Sequence, residues 1–232
     1  MPHLDFAALL AGPYRDWLIA GFVFSLQLAG LALAAALPLA ATLALLRLAP
    51  MPAARALGFA CVEGIRSVPL LVHLLFWYFG APELLPEGLK TWLYAGNIEA
   101  AAAFVALTLY TAAYMAEDIR SGLRAVPATQ LEAARALGFS WLAALRLIVL
   151  PQALRITVPP LISQTLNLWK NTSIATVIGT AELMYQAQRV ETASFRGFET
   201  FAIATSAYLT ISLAITGASL WFQQRYPARM AR

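Results

Sequence analysis

From Trp17 to Leu46 the chain runs for 30 residues without a charged side chain. No soluble domain of this size holds such a run, and a membrane-crossing helix needs only about 20 mostly apolar residues. A secretory leader is a poor fit, because its apolar stretch is about 7–15 residues and follows a basic segment. Here Asp5, Arg15 and Asp16 precede the run and carry no net positive charge. We read residues 17–46 as a long, tilted membrane helix.

The rest of the chain agrees. Of 232 residues, 60% are hydrophobic and 12% charged, against about 25% charged in ordinary soluble domains. Four further apolar stretches are expected to span, over about residues 56–79, 99–116, 156–178 and 200–223. The chain is thus expected to be an all-α integral membrane protein, a single transmembrane domain over residues 1–232 with five helices. No repeat relates its halves, which argues against an inverted-repeat transporter.

Basic residues set the expected orientation, because cytoplasmic loops are enriched in Lys and Arg. Arg47, Arg55, Arg120, Arg124, Arg135, Arg146, Arg155, Arg225, Arg229 and Arg232 fall on one side. Only Arg15, Lys90, Arg189 and Arg196 fall on the other. The N-terminus is therefore expected outside and the C-terminus inside. The same rule accounts for the basic pI of about 9.5 without nucleic acid.

Several chemistries find no support. Cys61 is the single cysteine, so no intrachain disulfide is possible, and His3 and His73 are too far apart for a metal-ligand spacing. His73 lies in an apolar run and is expected to be structural. Neither Lys90 nor Lys170 follows a glycine, so the phosphate-cradling G-x-x-x-x-G-K-[ST] loop is absent. A G-x-S-x-G nucleophile turn is absent too. No catalytic and no metal residues are expected.

Between the third and fourth spans lie about 40 residues, Glu117 to Arg155, with a coupling-type segment at about 127–150. Thr129 and Glu132 have the spacing of a capping box, Gly138 is expected to end the helix at positive φ, and Ser140 to cap a second helix, Trp141–Ile148. Pro151 is expected to break that helix before the fourth span. Small alanines on such a helix let another backbone come close, which suits insertion into a partner's groove. A plain amphipathic connector on the membrane surface is the other reading of these residues.

Two other groups stand out. Glu63 and Arg66 are three apart on a helix and can pair, as an elbow at the membrane surface. Lys170 is a charge within a span, a costly placement that marks functional sites. Ser163, Gln164, Asn167, Asn171, Thr172 and Ser173 surround it in sequence, with Gln164, Asn167 and Asn171 at helical spacing. They read as a substrate pathway, or as polar packing against a second subunit.

The block "EAARALG…LPQA" (Glu132–Ala153) resembles the EAA loop of ATP-binding-cassette importer permeases. "EGIRSVPLLVHLLFWYFG" (Glu63–Gly80), "YTAAYMAEDIRSGL" (Tyr110–Leu123) and "LWKNTSIATVIGTAEL" (Leu168–Leu183) resemble blocks of the polar amino acid uptake branch, in consistent order. Thr129 and Asn171 depart from it, standing where many members have Gly and Asp. The resemblance implies a type I importer permease fold and a bacterial inner-membrane location. It implies that Glu132, Ala133, Ala134, Arg135 and Gly138 dock into a cytoplasmic ATPase. It also implies partners: two ATPase subunits, which carry the ATP and Mg, so that this chain needs no cofactor; a second permease, identical or homologous; and a periplasmic solute-binding protein. Members handling cationic amino acids tend to place carboxylates where this chain has Gln164 and Asn171, so an acidic or polar substrate such as glutamate, aspartate or glutamine is implied. Basic amino acids or opines, a small-solute exporter, and a non-transporting membrane scaffold are the alternatives.

Overall fold

Helices account for all the regular structure among residues 4–227, which the computed structural model describes. His3, Arg229 and Arg232 lie outside the described residues. In order come α1 (Phe6–Leu9), α2 (Gly12–Leu48), α3 (Pro52–Arg66), α4 (Leu70–Leu75), α5 (Glu87–Tyr94), α6 (Ile98–Arg124), α7 (Ala128–Ala136), α8 (Trp141–Ala144), α9 (Leu150–Asn171), α10 (Leu183–Ser194) and α11 (Gly197–Arg225). Four helical stretches are long and apolar enough to cross a membrane: Gly12–Leu48, Ile98–Arg124, Trp141–Ile178 and Gly197–Arg225. Each contains one of the expected spans. At about 1.5 Å per residue, the 37 residues of α2 extend roughly 55 Å, well beyond the ~30 Å hydrocarbon layer.

The second expected span is not one straight helix. Pro52–Arg66 and Leu70–Leu84 meet at a bend of 98°, and together they count as a fifth crossing only as a broken one. The cause is local: Pro69 has no N–H to continue α3 and adopts extended dihedrals (φ −58°, ψ 144°) as the N-cap of α4.

Two more expectations change near the polar segment. α7 begins at Ala128 behind Pro127, with no side-chain cap. Thr129 is thus inside the first turn, whereas a capping box needs the hydroxyl-bearing residue just outside it. Nor does Pro151 end a helix. The stretch from Trp141 is helical through to Ile178, because a π-helical turn at Leu145–Val149 widens the backbone just before the proline and so absorbs its missing N–H. Gln152 Nε2 donates to the Ile148 carbonyl within this region, at 2.9 Å. The polar link between long helices therefore shortens to residues 125–140.

The chain divides into two compact units. The first comprises Met1–Ala35, Val68–Tyr110 and Asn167–Ala214. Its core is small-to-medium and apolar, with Leu28, Ala32, Leu74, Ala103, Leu107, Leu168 and Ala175 fully or nearly buried. A second cluster there gathers Leu9, Leu18, Leu183, Val190 and Ala204. The second unit comprises Ala36–Ser67, Thr111–Leu166 and Ile215–Arg232. Gly122 on α6 sets its packing: a Cβ there would meet Thr157 Oγ1 on α9 at 1.9 Å. Small residues allow this close helix approach in membranes.

Candidate functional site

The turn after α7 is built as a Schellman motif. Gly138 takes φ +88°, its N–H donates to the Arg135 carbonyl at 3.0 Å, and the Phe139 N–H reaches back to the Ala134 carbonyl at 3.1 Å. Nothing lies within 4 Å of a Cβ added at Gly138. The glycine is there for its backbone, since a side chain at positive φ costs roughly 1–2 kcal/mol. Ser140 caps α8 as expected, accepting from the Ala143 N–H at 3.2 Å. Ala134 is buried, whereas Glu132, Ala133 and Arg135 are exposed. Arg135 donates to the Phe139 carbonyl at 3.3 Å.

The sequence reading missed the residues that flank this turn. Leu137 is 78% exposed, and Leu142 and Trp141 are exposed as well. Large apolar side chains at the tip of a polar turn make it an exposed apolar knob. The signal was present as four bulky apolar residues, Leu137, Phe139, Trp141 and Leu142, within five positions of Gly138.

The polar residues around Lys170 divide. Ser163, Asn167 and Lys170 are exposed, at i, i+4 and i+7 of one helix, with Gln164 and Asn171 half-buried beside them. Among the described residues the Lys170 ammonium has no ion-pair partner. Thr172 is turned inward: it is fully buried, and its hydroxyl donates to the Trp169 carbonyl at 2.8 Å. Ser173 donates to the Lys170 carbonyl, also at 2.8 Å. Gln164 brings a surprise. Its amide donates to Asp118 Oδ2 at 3.1 Å, so a carboxylate stands where the sequence suggested only amides.

Within the second unit Glu63 and Arg66 pair at 3.3 Å, as their spacing suggested. They are part of something larger. Arg47 reaches both Glu63 at 3.2 Å and Glu117 at 2.6 Å, and Glu117 also pairs with Arg120. Arg66 lies over the Tyr114 ring at 5.1 Å. The sequence signal was the repeated E-x-I-R-S at residues 63–67 and 117–121.

The first unit has a different polar centre. Glu182, completely buried, caps α10 by accepting from the N–H groups of Met184 and Tyr185 at 2.9 and 2.8 Å. It also accepts from the Tyr208 hydroxyl at 2.8 Å and from Ser25 at 3.3 Å. Burial pushes its carboxyl above the usual carboxylate range, and these four donors pull it part of the way back.

Comparison with known proteins places these features in context. A family model described as binding-protein-dependent transport system inner membrane component matches residues 36–227. The chain is 38% identical over 198 residues to a probable glutamine ABC transporter permease protein of Bacillus subtilis (strain 168), covering 84% of this chain and 87% of that one. It is 35% identical over 206 residues to a glutamate/aspartate import permease protein of Escherichia coli (strain K12), covering 87% and 84%. A crystal structure of an amino acid ABC transporter with histidines matches with a TM-score of 0.82 at 30% identity, over 96% of this chain and 99% of that one. A methionine ABC transporter in inward-facing conformations matches at 0.71 and 19% identity, which concerns the fold alone.

Proposed function

The chain belongs to the binding-protein-dependent transport system inner membrane component family, and on that premise we propose how this permease does its work. It is the membrane subunit of an amino acid ABC importer, with its several apolar helices in the inner membrane. The observation that carries the mechanism is the exposed turn at Glu132–Gly138. Its shape is fixed by the Schellman hydrogen bonds, and its bulky tip at Leu137 points away from the rest of the chain's packing. We assign it as the knob that enters a groove on one of two separate ATPase subunits, where ATP and Mg are bound, the second permease's knob entering the other. Closure of the ATPases would pull the knobs together and switch the permease between inward-open and outward-open forms. The ten-to-four distribution of basic residues supports a reading with this turn and the C-terminus inside and the N-terminus outside.

Lys170, Asn167 and Ser163 expose a polar stripe on an apolar helix. Exposed to lipid it would be costly; facing a second permease, identical or homologous, it would line a pathway. We assign Gln164, Asn167, Lys170, Asn171 and Ser173 to that pathway and leave Thr172 as a packing residue. The substrate proposed is an acidic or polar amino acid delivered by a periplasmic binding protein. Support comes from relatives named for glutamine and for glutamate/aspartate, no longer from a carboxylate-free face. Asp118 beside Gln164 favours a second reading, a cationic amino acid, since a carboxylate can pair with an ammonium or guanidinium.

The experiment is reconstitution with the ATPase and binding protein in proteoliposomes. Gly138→Val should leave the permease folded yet lower uptake and ligand-stimulated ATP hydrolysis at least tenfold. Wild-type values for both would overturn the coupling role. Competition in the same assay ranks the substrates, and arginine or lysine competing best would replace the acidic reading by the cationic one. Cysteine labelling at Glu191 from outside and at Arg124 from inside, in a Cys61→Ser background, checks the orientation; the reverse pattern would invert it.

A further inference from the structure

The stretch between the broken span and α6 was expected to be loop. It holds instead a cavity of about 380 Å³, lined by Phe76, Trp77, Leu85, Leu93, Ile98, Val105 and their apolar neighbours, with no charged side chain in the wall and the Trp77 indole as its one side chain carrying an N–H. That size falls in the ~300–1,000 Å³ range of small-molecule sites, but the wall is almost wholly apolar and offers no set of converging polar groups to orient a polar ligand. Part of the wall is a π-helical turn, Phe76–Gly80, a distortion often retained where a site needs it.

The rim is unusual for a water-facing loop. Leu89 and Trp92, three apart on α5, are both exposed, Trp92 at 75%, and so is Leu85 just before the helix. Leu84 beside them is 79% exposed. On the polar side of α5, Lys90 is already paired with Glu83 at 2.6 Å. An amphipathic helix with Trp and Leu on one face lies in the membrane interface, where Trp and Tyr are enriched.

The position fixes the occupant. Ile98 and Val105 belong to the first turns of α6, a membrane-crossing helix, so the cavity opens at the level where the hydrocarbon layer begins. Phe76, which lines it, is exposed, and so is Phe79 three residues on. We propose that this cavity takes one acyl chain of a membrane phospholipid, with α5 lying in the interface as its rim. Lys90, the cation of α5, is held by Glu83, so recognition is of the hydrocarbon tail and is indifferent to headgroup charge.

The test uses the full chain in nanodiscs containing a phosphatidylethanolamine with a photoactivated diazirine at mid-chain, followed by peptide mapping. Adducts are expected within residues 76–105. Two plugs should each lower them at least fivefold: Ala101→Phe, on a packed helix, and Leu85→Trp, on the rim, where folding is not at stake. Adducts on α11, whose Leu209 and Leu213 are exposed, should not change and report intact insertion. Adducts that persist in both plugged variants would show only lipid on the outer surface, and their absence from wild type would show an unfilled cavity. Crosslinking between two copies through Val105→Cys, in a Cys61→Ser background, would give the cavity to a second copy. Each of these three results overturns the proposal.

Discussion

The polar centres of the two compact units of this permease are built in different ways. In the first, the fully buried Glu182 is satisfied by two backbone N–H groups and two hydroxyls, and the unit's ion pairs of Arg196 with Asp5 and Glu199 do not include it. In the second, Arg47, Glu63, Arg66, Glu117 and Arg120 form a chain of alternating charges. The hydroxyl-and-amide set has one geometry, because every donor converges on two oxygens. The charged chain has several, because each glutamate keeps a second arginine if one contact is lost. A buried acceptor that loses its place leaves all its donors unpaired, at about 1–3 kcal/mol each. A partly exposed ion-pair network degrades more gently. The first arrangement suits an element that must hold still, and the second an element that must rearrange.

Glu182→Leu should break this contrast most severely. It strands Ser25, Tyr208 and the first N–H groups of α10 without an acceptor. A loss on the order of 3–5 kcal/mol is expected, read as a fall of 10 °C or more in the thermal unfolding of the purified permease. A fall of only a degree or two would mean that water or another group substitutes for the carboxylate, and the two units would not differ in kind.

Arg47→Met comes next. Arg47 is well buried and touches both glutamates, yet Arg66 and Arg120 remain to hold them. The methionine keeps much of the apolar stem. The expected loss is about 1–2 kcal/mol, visibly smaller than for Glu182→Leu in the same assay and larger at low salt. Equal losses for the two variants would remove the redundancy argued for the charged chain.

The difference between the units also explains what could be read from the sequence. Spans were legible because uncharged runs such as Trp17–Leu46 admit no other solution, and so was the αL turn, because Gly138 follows a helix-forming run before a serine cap. The Glu63–Arg66 pair was legible because it is local. Arg47 was not, since its partners lie 16 and 70 residues away. Glu182 was hidden for the same reason, with Ser25 157 residues distant. Pro151 was misread because a proline's effect depends on the hydrogen-bond register before it, and a π turn leaves no mark in composition. The acid beside Gln164 escaped because Asp118 lies on another helix. The order of the amino acid permease motifs carried the functional reading, which no spacing of charges alone would have given.

The subtlest prediction sharpens the account of Glu182 itself. Burial raises its folded-state pKa above the ordinary carboxylate value. The folded protein therefore holds the proton more tightly than the unfolded chain does, and stability must fall as pH rises from the ordinary carboxylate range through the raised value. Glu182→Gln is neutral at every pH and resembles the protonated acid in shape. Its own unfolding carries no such contribution from this position. Subtracting the variant's melting temperature from the wild type's cancels the pH effects of all other groups. That difference should be largest at the acid end, within the ordinary carboxylate range, and shrink as pH rises through the raised value. A difference that grows with pH would mean that the four hydrogen bonds outweigh desolvation and hold the carboxyl below its ordinary value. The buried centre of the first unit would then be an anion stabilised by its donors, closer in character to the glutamates of the second.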